Sequence, residues 1–274
     1  MVVKGEELGQ VGAETVKGKE ISYAEAQELF ERLLKLDYHP VAIKFFKSLE
    51  EAKGYKAEKR MAAKVTFCQF TAASRMANYV LKGTNDNILC ENCLTAFGFT
   101  EPSDEEAKGH MKYVVDFEKA KQVLATKPRL QTGEIKAFMT APLAKTPVEP
   151  DVIMFVCNPL QAYHILNDYI GAFNVHPLQF NHTVNSAVCG GAVWSYLNHK
   201  PNMNTMCAGS YTSGKTEKGE VNVFIPGDQI LDVAKQLALR TEFSHGASFP
   251  YSGTEWPGLD VCKKCPMIRF KDEE

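Results

Sequence analysis

The sequence predicts an α/β fold, with mixed α+β as the neighbouring class: a single compact domain in which a mixed sheet is flanked by helices, followed by a cysteine-bearing C-terminal tail. Three observations carry that expectation. Between Tyr23 and Arg240, strand-length apolar runs alternate with segments of helical periodicity. No internal repeat and no Ser/Gly-rich linker interrupts them. The chain has 274 residues, 45% hydrophobic and 23% charged, which is enough to bury a sizeable core. The expected organisation is a flexible arm over 1–20, one domain over 21–240 and a tail over 241–274.

The elements follow in order. The first 20 or so residues are polar and aperiodic, which gives them little reason to order. Ser22 and Glu25 have the spacing of a capping box, and Leu29, Phe30, Leu33, Leu34 and Leu36 make the helix behind it amphipathic. His39 and Pro40 stop that helix, and VAIKFF reads as a strand. KVTF reads as a short strand feeding a helix whose first turn holds Cys68, with Gly83 fitting its C-cap. Asn87 to Cys90 is a brief apolar stretch, and two helices follow, Ser103 to Lys112 and Asp116 to Thr126. KPRLQTG is a turn, EIKAFMTAPL a strand and VEPDVIMFVCNP a buried strand. LQAYHILNDYIGAF is helical, HPLQF extended, and VNSAVCGGAVWSYLNH a helix entered near Cys189. NMNTMC and VNVFIPG are strands, and DQILDVAKQLALRT is the last helix of the domain.

Composition excludes several functions. A net charge of −2 and a pI near 6.4 steer the chain toward neither nucleic acid nor anionic lipid. No apolar run approaches the ~20 residues that a membrane helix needs. MVVKGEELGQVGAE lacks the apolar segment of a secretion signal, so the expected location is the cytoplasm. G-x-S-x-G is absent, GGAV lacks the strand-borne G-x-G-x-x-G of a dinucleotide site, and IPGDQ has no P-loop lysine. His176 and His182 read as satisfied polar residues rather than ligands, and His164 as core or boundary of its helix. Ser74, Arg75 and Lys44 are candidates to face an anionic substrate, although a lone Arg more often pairs or lies at the surface.

The chemistry lies in eight cysteines. Cys90 and Cys93 form one C-x2-C pair, and Cys262 and Cys265 form another. Cys68, Cys189 and Cys207 stand alone beside small or polar residues, while Cys157 lies in an apolar run and reads as core. A cytoplasmic protein does not keep so many thiols as structural disulfides. Thiolates suit iron–sulfur clusters, zinc and copper(I). For an isolated C-x2-C, a redox dithiol is the competing reading.

Motifs in a fixed order connect this chain to a family. PVAIKF, TFCQ, Cys90 eight residues before Gly98, PRLQTGEIKAFMTAPL, PDVIMFVCNPLQA, AVCGGAVW, NTMCAGS and FIPGDQIL run from about Tyr23 to Arg240. Together they resemble the family catalogued as domain of unknown function 169. The resemblance implies a soluble protein of bacteria and archaea, common in anaerobes, whose recurrent cysteines fall here on Cys68, Cys90, Cys189 and Cys207. This chain departs from relatives in having C-E-N-C where many have C-P-G-G, and Tyr211 where a basic residue is usual.

Four thiolates at those positions would satisfy a 4Fe–4S cluster or a tetrahedral zinc. A chain this long does not need a metal staple, which favours the cluster. The expected function is therefore a cytosolic iron–sulfur protein of anaerobic metabolism, serving electron transfer or cluster-dependent chemistry on a small molecule. Its partners would be a redox protein or that substrate, with no nucleic acid or membrane, and a homo-oligomer fits equally. The alternative is a non-catalytic module that binds zinc or a soft ion through its thiols, or binds a small molecule. Cys93, Cys262 and Cys265 make a second candidate set, which would share Cys90 and clamp the tail to the body.

Overall fold

In the computed structural model, which describes residue 16 and residues 18–243, six strands form one sheet. In chain order they are β1 (Val41–Phe46), β2 (Leu81–Gly83), β3 (Ala137–Pro142), β4 (Val152–Cys157), β5 (Asn202–Thr205) and β6 (Val221–Pro226). Across the sheet the order is β2–β3–β1–β4–β6–β5. β1 is central, with Val41 opposite both Pro142 of β3 and Met154 of β4. Every neighbouring pair is antiparallel, where the alternation of strands and helices suggested a mixed sheet. Hydrophobic periodicity encodes burial and not strand direction. Parallel pairing is confined to the isolated bridges Lys59–Leu81 and Val65–Ile88 among the described residues.

Helices cover both faces. They are α1 (Tyr23–Leu34), α2 (Leu49–Lys53), α3 (Phe67–Ala77), α4 (Glu91–Ala96), α5 (Asp104–Val114), α6 (Phe117–Thr126), α7 (Pro159–Phe173), α8 (Ala187–Asn198), α9 (Ala208–Thr212) and α10 (Ile230–Phe243). Strand residues alternate between the two layers, as the period of two requires. Ala42, Ile153, Phe155, Val223 and Ile225 face one layer with α1, α7 and α10, and Cys157 lies there too. Val41, Ile43, Phe45, Met154 and Phe224 face the other, against α3 and α8. With both faces covered, β4 is buried at every position, which is why VIMFVC reads as an unbroken apolar run.

Local signals set the boundaries. The Ser22–Glu25 capping box forms, with the Glu25 amide donating to Ser22 Oγ at 3.3 Å and the Ser22 amide to Glu25 Oε2 at 2.7 Å. The helix holding Cys68 ends earlier than the sequence suggests. Asn78, at φ 60°, takes the left-handed cap, and Gly83 belongs to β2. A Cβ at Gly83 would strike the rings of Phe138 and Phe70. KVTF is not a strand: Val65 makes one bridge and Thr66 caps α3. HPLQF forms no strand either.

The seat of α8 bears on everything that follows. Asn222 on β6 donates to Asn204 Oδ1 on β5 at 2.9 Å, and Asn204 donates to the carbonyl of Ala187 at 2.9 Å. Two buried asparagines thus tie the first turn of α8 to the sheet. Gly191 allows the close approach, since a Cβ there would meet the Phe224 ring and lie 2.6 Å from Asn204 Nδ2. Gly191→Ala is expected to destabilise the protein by about 1–3 kcal/mol, as overpacking does elsewhere. Equilibrium urea unfolding checks this, and an unchanged midpoint would show that α8 is not seated as described.

Candidate functional site

Five cysteines from four separate segments line one cavity of ≈ 280 Å³, and each sits at the start of a helix. Cys68 is the second residue of α3, behind the capping box of Thr66 and Gln69. Cys90 is the N-cap of α4 and Cys93 its third residue. Cys189 is the third residue of α8, and Cys207 is the N-cap of α9. Cys68, Cys93 and Cys189 are buried, while Cys90 and Cys207 are half-buried and form the accessible side. All six cysteines of the described residues are free.

The surroundings favour sulfur in its anionic form at selected positions. Cys93 stands between two neighbours, and by donation its single thiol proton favours the ionised form of whichever of Cys90 and Cys189 it faces. That donation, with the amide N–H groups of Cys93 and Asn92 and the Lys127 charge, pushes the Cys90 thiol down to about 6 despite its burial. Cys189 is lowered by the same Cys93 donation, opposed by burial. Cys90 is the more exposed of the two, so it takes the negative charge first. Cys93 goes the other way: its own bonds to Cys189 and Cys90, then burial, hold its proton on. Burial raises Cys68 well above the ordinary thiol range, and the nearby sulfurs of Cys189, Cys207 and Cys90 add to that. Cys207 Sγ lies 3.4 Å from Ser210 Oγ.

A cation stands behind the sulfurs. The Lys127 side chain is 3% exposed and donates to Glu106 Oε1 at 2.9 Å and to Asn92 Oδ1 at 2.7 Å. Thr95 donates to the other oxygen of Glu106 at 2.7 Å. Asn92 is itself in the first turn of α4, and its carbonyl is 3.8 Å from Cys189 Sγ. Lys127 is thereby held beside the cavity by partners on α4 and α5. Gly98, at φ 65°, closes the far end of α4, where a Cβ would strike the Gln131 carbonyl. Gly133 then donates to the Gly98 carbonyl at 2.8 Å. Outside the cavity, buried Arg75 donates to the carbonyls of Gly214 (2.5 Å) and Lys215 (2.8 Å), which fixes the turn after α9. Its guanidinium also lies 4.2 Å from the centre of the Tyr38 ring.

Sequence reasoning placed Cys68, Cys90, Cys189 and Cys207 in one site, and all four line this cavity. Cys93, assigned to a second set, lines it as well; Cys262 and Cys265 lie outside the described residues. The expected docking of the tail lies outside them too. No histidine lines the cavity. His182 meets Thr205, His176 lines a separate cavity, and His164 sits beside Arg240, where burial and that charge lower it to about 4. Lys44 is paired with Asp151 at 2.9 Å, Ser74 bonds Thr140, and Arg75 donates to backbone through Nη2; none of the three lines this cavity. Lys127, Glu106 and Asn92 carried no sequence signal, because charged residues near a turn read as solvated.

Among the described residues, no three His, Cys, Asp or Glu side chains are disposed to hold a single metal ion. A tetrahedral zinc with Zn–S near 2.3 Å would bring its sulfurs to about 3.8 Å from one another. The five cysteines line one cavity between them.

Fold and site define a class: an antiparallel α/β domain with a thiol-lined cavity at the meeting of four helix starts. The chain belongs to the domain of unknown function 169 family, described as Uncharacterised ArCR, which it matches over residues 29–236. It is similar to an uncharacterised protein of Methanocaldococcus jannaschii, 30% identical over 226 residues that cover 77% of this chain and 91% of the relative. No solved structure matches it.

The Cys90 environment makes a testable statement. In metal-free protein, alkylation of Cys90 followed by peptide mass spectrometry is expected to rise with pH around a midpoint near 6. Cys93→Ala removes the main donor to that thiolate, so the midpoint should move up toward the ordinary range of about 8.5. An unshifted midpoint in the variant would show that Cys93 does not hold the Cys90 thiolate.

Proposed function

We propose that the sulfur cavity binds an iron–sulfur cluster through Cys68, Cys90, Cys189 and Cys207, and that the protein serves electron transfer or cluster-dependent chemistry on a small molecule. The observation that supports this reading best is the convergence of five free thiols, and no other strong ligand, on one cavity. An iron–sulfur cluster supplies one-electron chemistry and, where an iron is left open, a Lewis-acidic site. The residues fit an anionic, sulfur-seeking group. α3 and α8 direct the positive ends of their dipoles at the cavity, and Lys127 adds a full charge behind Cys90 and Cys189. Five cysteines along one cavity, with no three ligands disposed to hold a single ion among the described residues, suit a group with several metal atoms better than one zinc. Cys93 is then a tuning residue: a thiol donating to ligand sulfurs stabilises their charge. The small volume, at the lower end of ligand pockets, suits a cluster better than an organic cofactor. Free thiols in such number also fit a reducing compartment, the cytoplasm.

A second reading rests on one specific observation. The half-buried Cys90 is lowered and the buried Cys93 raised, within a C-x2-C at a helix start. In a thiol–disulfide exchange, the Cys90 thiolate would attack a substrate disulfide and displace one of its sulfurs as a thiol. Cys93 would then resolve the mixed disulfide, leaving a Cys90–Cys93 disulfide and a reduced dithiol product.

Anaerobic isolation followed by iron, zinc and sulfide analysis decides between these. The cluster reading expects iron and labile sulfide in equal amounts, about four of each per chain for the cubane type. Cys90→Ser or Cys189→Ser should lose most of both, and Cys157→Ala, on the opposite face of the sheet, should lose neither. Zinc without sulfide would overturn the cluster reading. Metal-free protein whose Cys90 and Cys93 cycle with a disulfide substrate would establish the second.

A further inference from the structure

A second cavity, of ≈ 610 Å³, lies between α2, the loop that follows it and β2. It shares no lining residue with the sulfur cavity. Its size falls within the range of small-molecule sites. Four cations line it, Lys53, Lys56, Arg60 and Lys82, and no carboxylate does. Lys53 is neutralised by Glu50 at 2.6 Å. For Lys56, Arg60 and Lys82, the described residues offer no ion-pair partner.

Lys82 separates this cavity from an ordinary solvated surface. It is half-buried on β2, and its Nζ donates to the carbonyls of Ala52 at 2.7 Å and Tyr55 at 2.6 Å. These two bonds hold the ammonium in place and leave its third N–H with no acceptor among the described residues. A cation fixed this way has already lost the freedom that an exposed lysine must give up on binding. The remaining wall is apolar. Met61 and Ala137 line it, and the Tyr55 ring is stacked on Phe46 at 5.7 Å between centres. The cavity therefore offers one fixed cation, two mobile cations at its exposed edge and an apolar surface beside them.

We propose that this cavity binds a small organic phosphate. The phosphate would be held by Lys82, Lys56 and Arg60, with its organic part against Tyr55, Met61 and Ala137. Three unpaired cations call for more than one negative charge, and a phosphate monoester carries about −1.5 to −2 at neutral pH, where a carboxylate carries one. Recognition of this kind is independent of the sulfur site and of what that site binds.

Calorimetric titration of the full-length protein tests the proposal. The probes are adenosine monophosphate, phenyl phosphate, adenosine and benzoate. At least one of the two phosphates should bind saturably, and about ten-fold or more tighter than adenosine or benzoate, given the strength of hydrogen bonds to charged groups. Binding should weaken as salt rises. The double variant Lys56→Gln/Arg60→Gln changes two exposed side chains, so it should fold normally and weaken the phosphate by about ten-fold or more. The proposal is overturned if neither phosphate binds saturably, if benzoate binds as tightly, or if the double variant binds as well as the parent.

Discussion

Five thiols brought into one cavity do not ionise together, and much of this structure can be read as the means of choosing which of them carry negative charge and of balancing it. Burial raises a thiol and neighbouring sulfurs raise it further, as they do at Cys68. The balance comes from several directions. First-turn amides of α4 face Cys90, the dipoles of α3 and α8 point inward, Cys93 shares its proton between two neighbours, and Lys127 stands behind them. None of these groups is adjacent in sequence to all the thiols it serves. The sheet is what holds the four helix starts in register around the space.

The buried Lys127–Glu106 pair belongs to this balance more than to stability. Removing two charges from water costs about as much as their attraction returns, so such a pair is weak evidence of stabilisation. It does fix a positive charge against Asn92 and the first turn of α4. The α5–α6 hairpin is then a bracket that carries a cation to the cavity. Buried Arg75 fixes the turn beside Cys68. A Cβ at Gly214 in that turn would lie 3.2 Å from Cys68 Cβ.

Much of this was legible in the sequence, for identifiable reasons. The capping box at Ser22, the helical periodicity behind it and the buried run of β4 each depend on residues near one another in the chain, and each forms as expected. Strand direction depends on how the chain crosses the sheet, which periodicity does not record. Gly83 was legible only as punctuation. Its part, making room for two phenylalanine rings, requires knowing that β2 and α3 meet Phe138. At the site, the cysteines announced themselves by residue type, and family resemblance grouped four of them. Cys93 was harder to assign because a C-x2-C pair reads as a local unit, whereas here it also reaches Cys189 on another helix. Lys127 and Glu106 were silent, since only their burial distinguishes them from surface charges.

The central claim is the proposed one, that the cysteines lining this cavity hold a multinuclear iron–sulfur group. X-ray absorption at the iron edge of anaerobically isolated protein tests it most directly. The account predicts a first coordination shell made of sulfur alone, with neighbouring iron atoms in the second. A first shell containing nitrogen or oxygen as the main ligand, or an isolated metal with no metal neighbour, would contradict it.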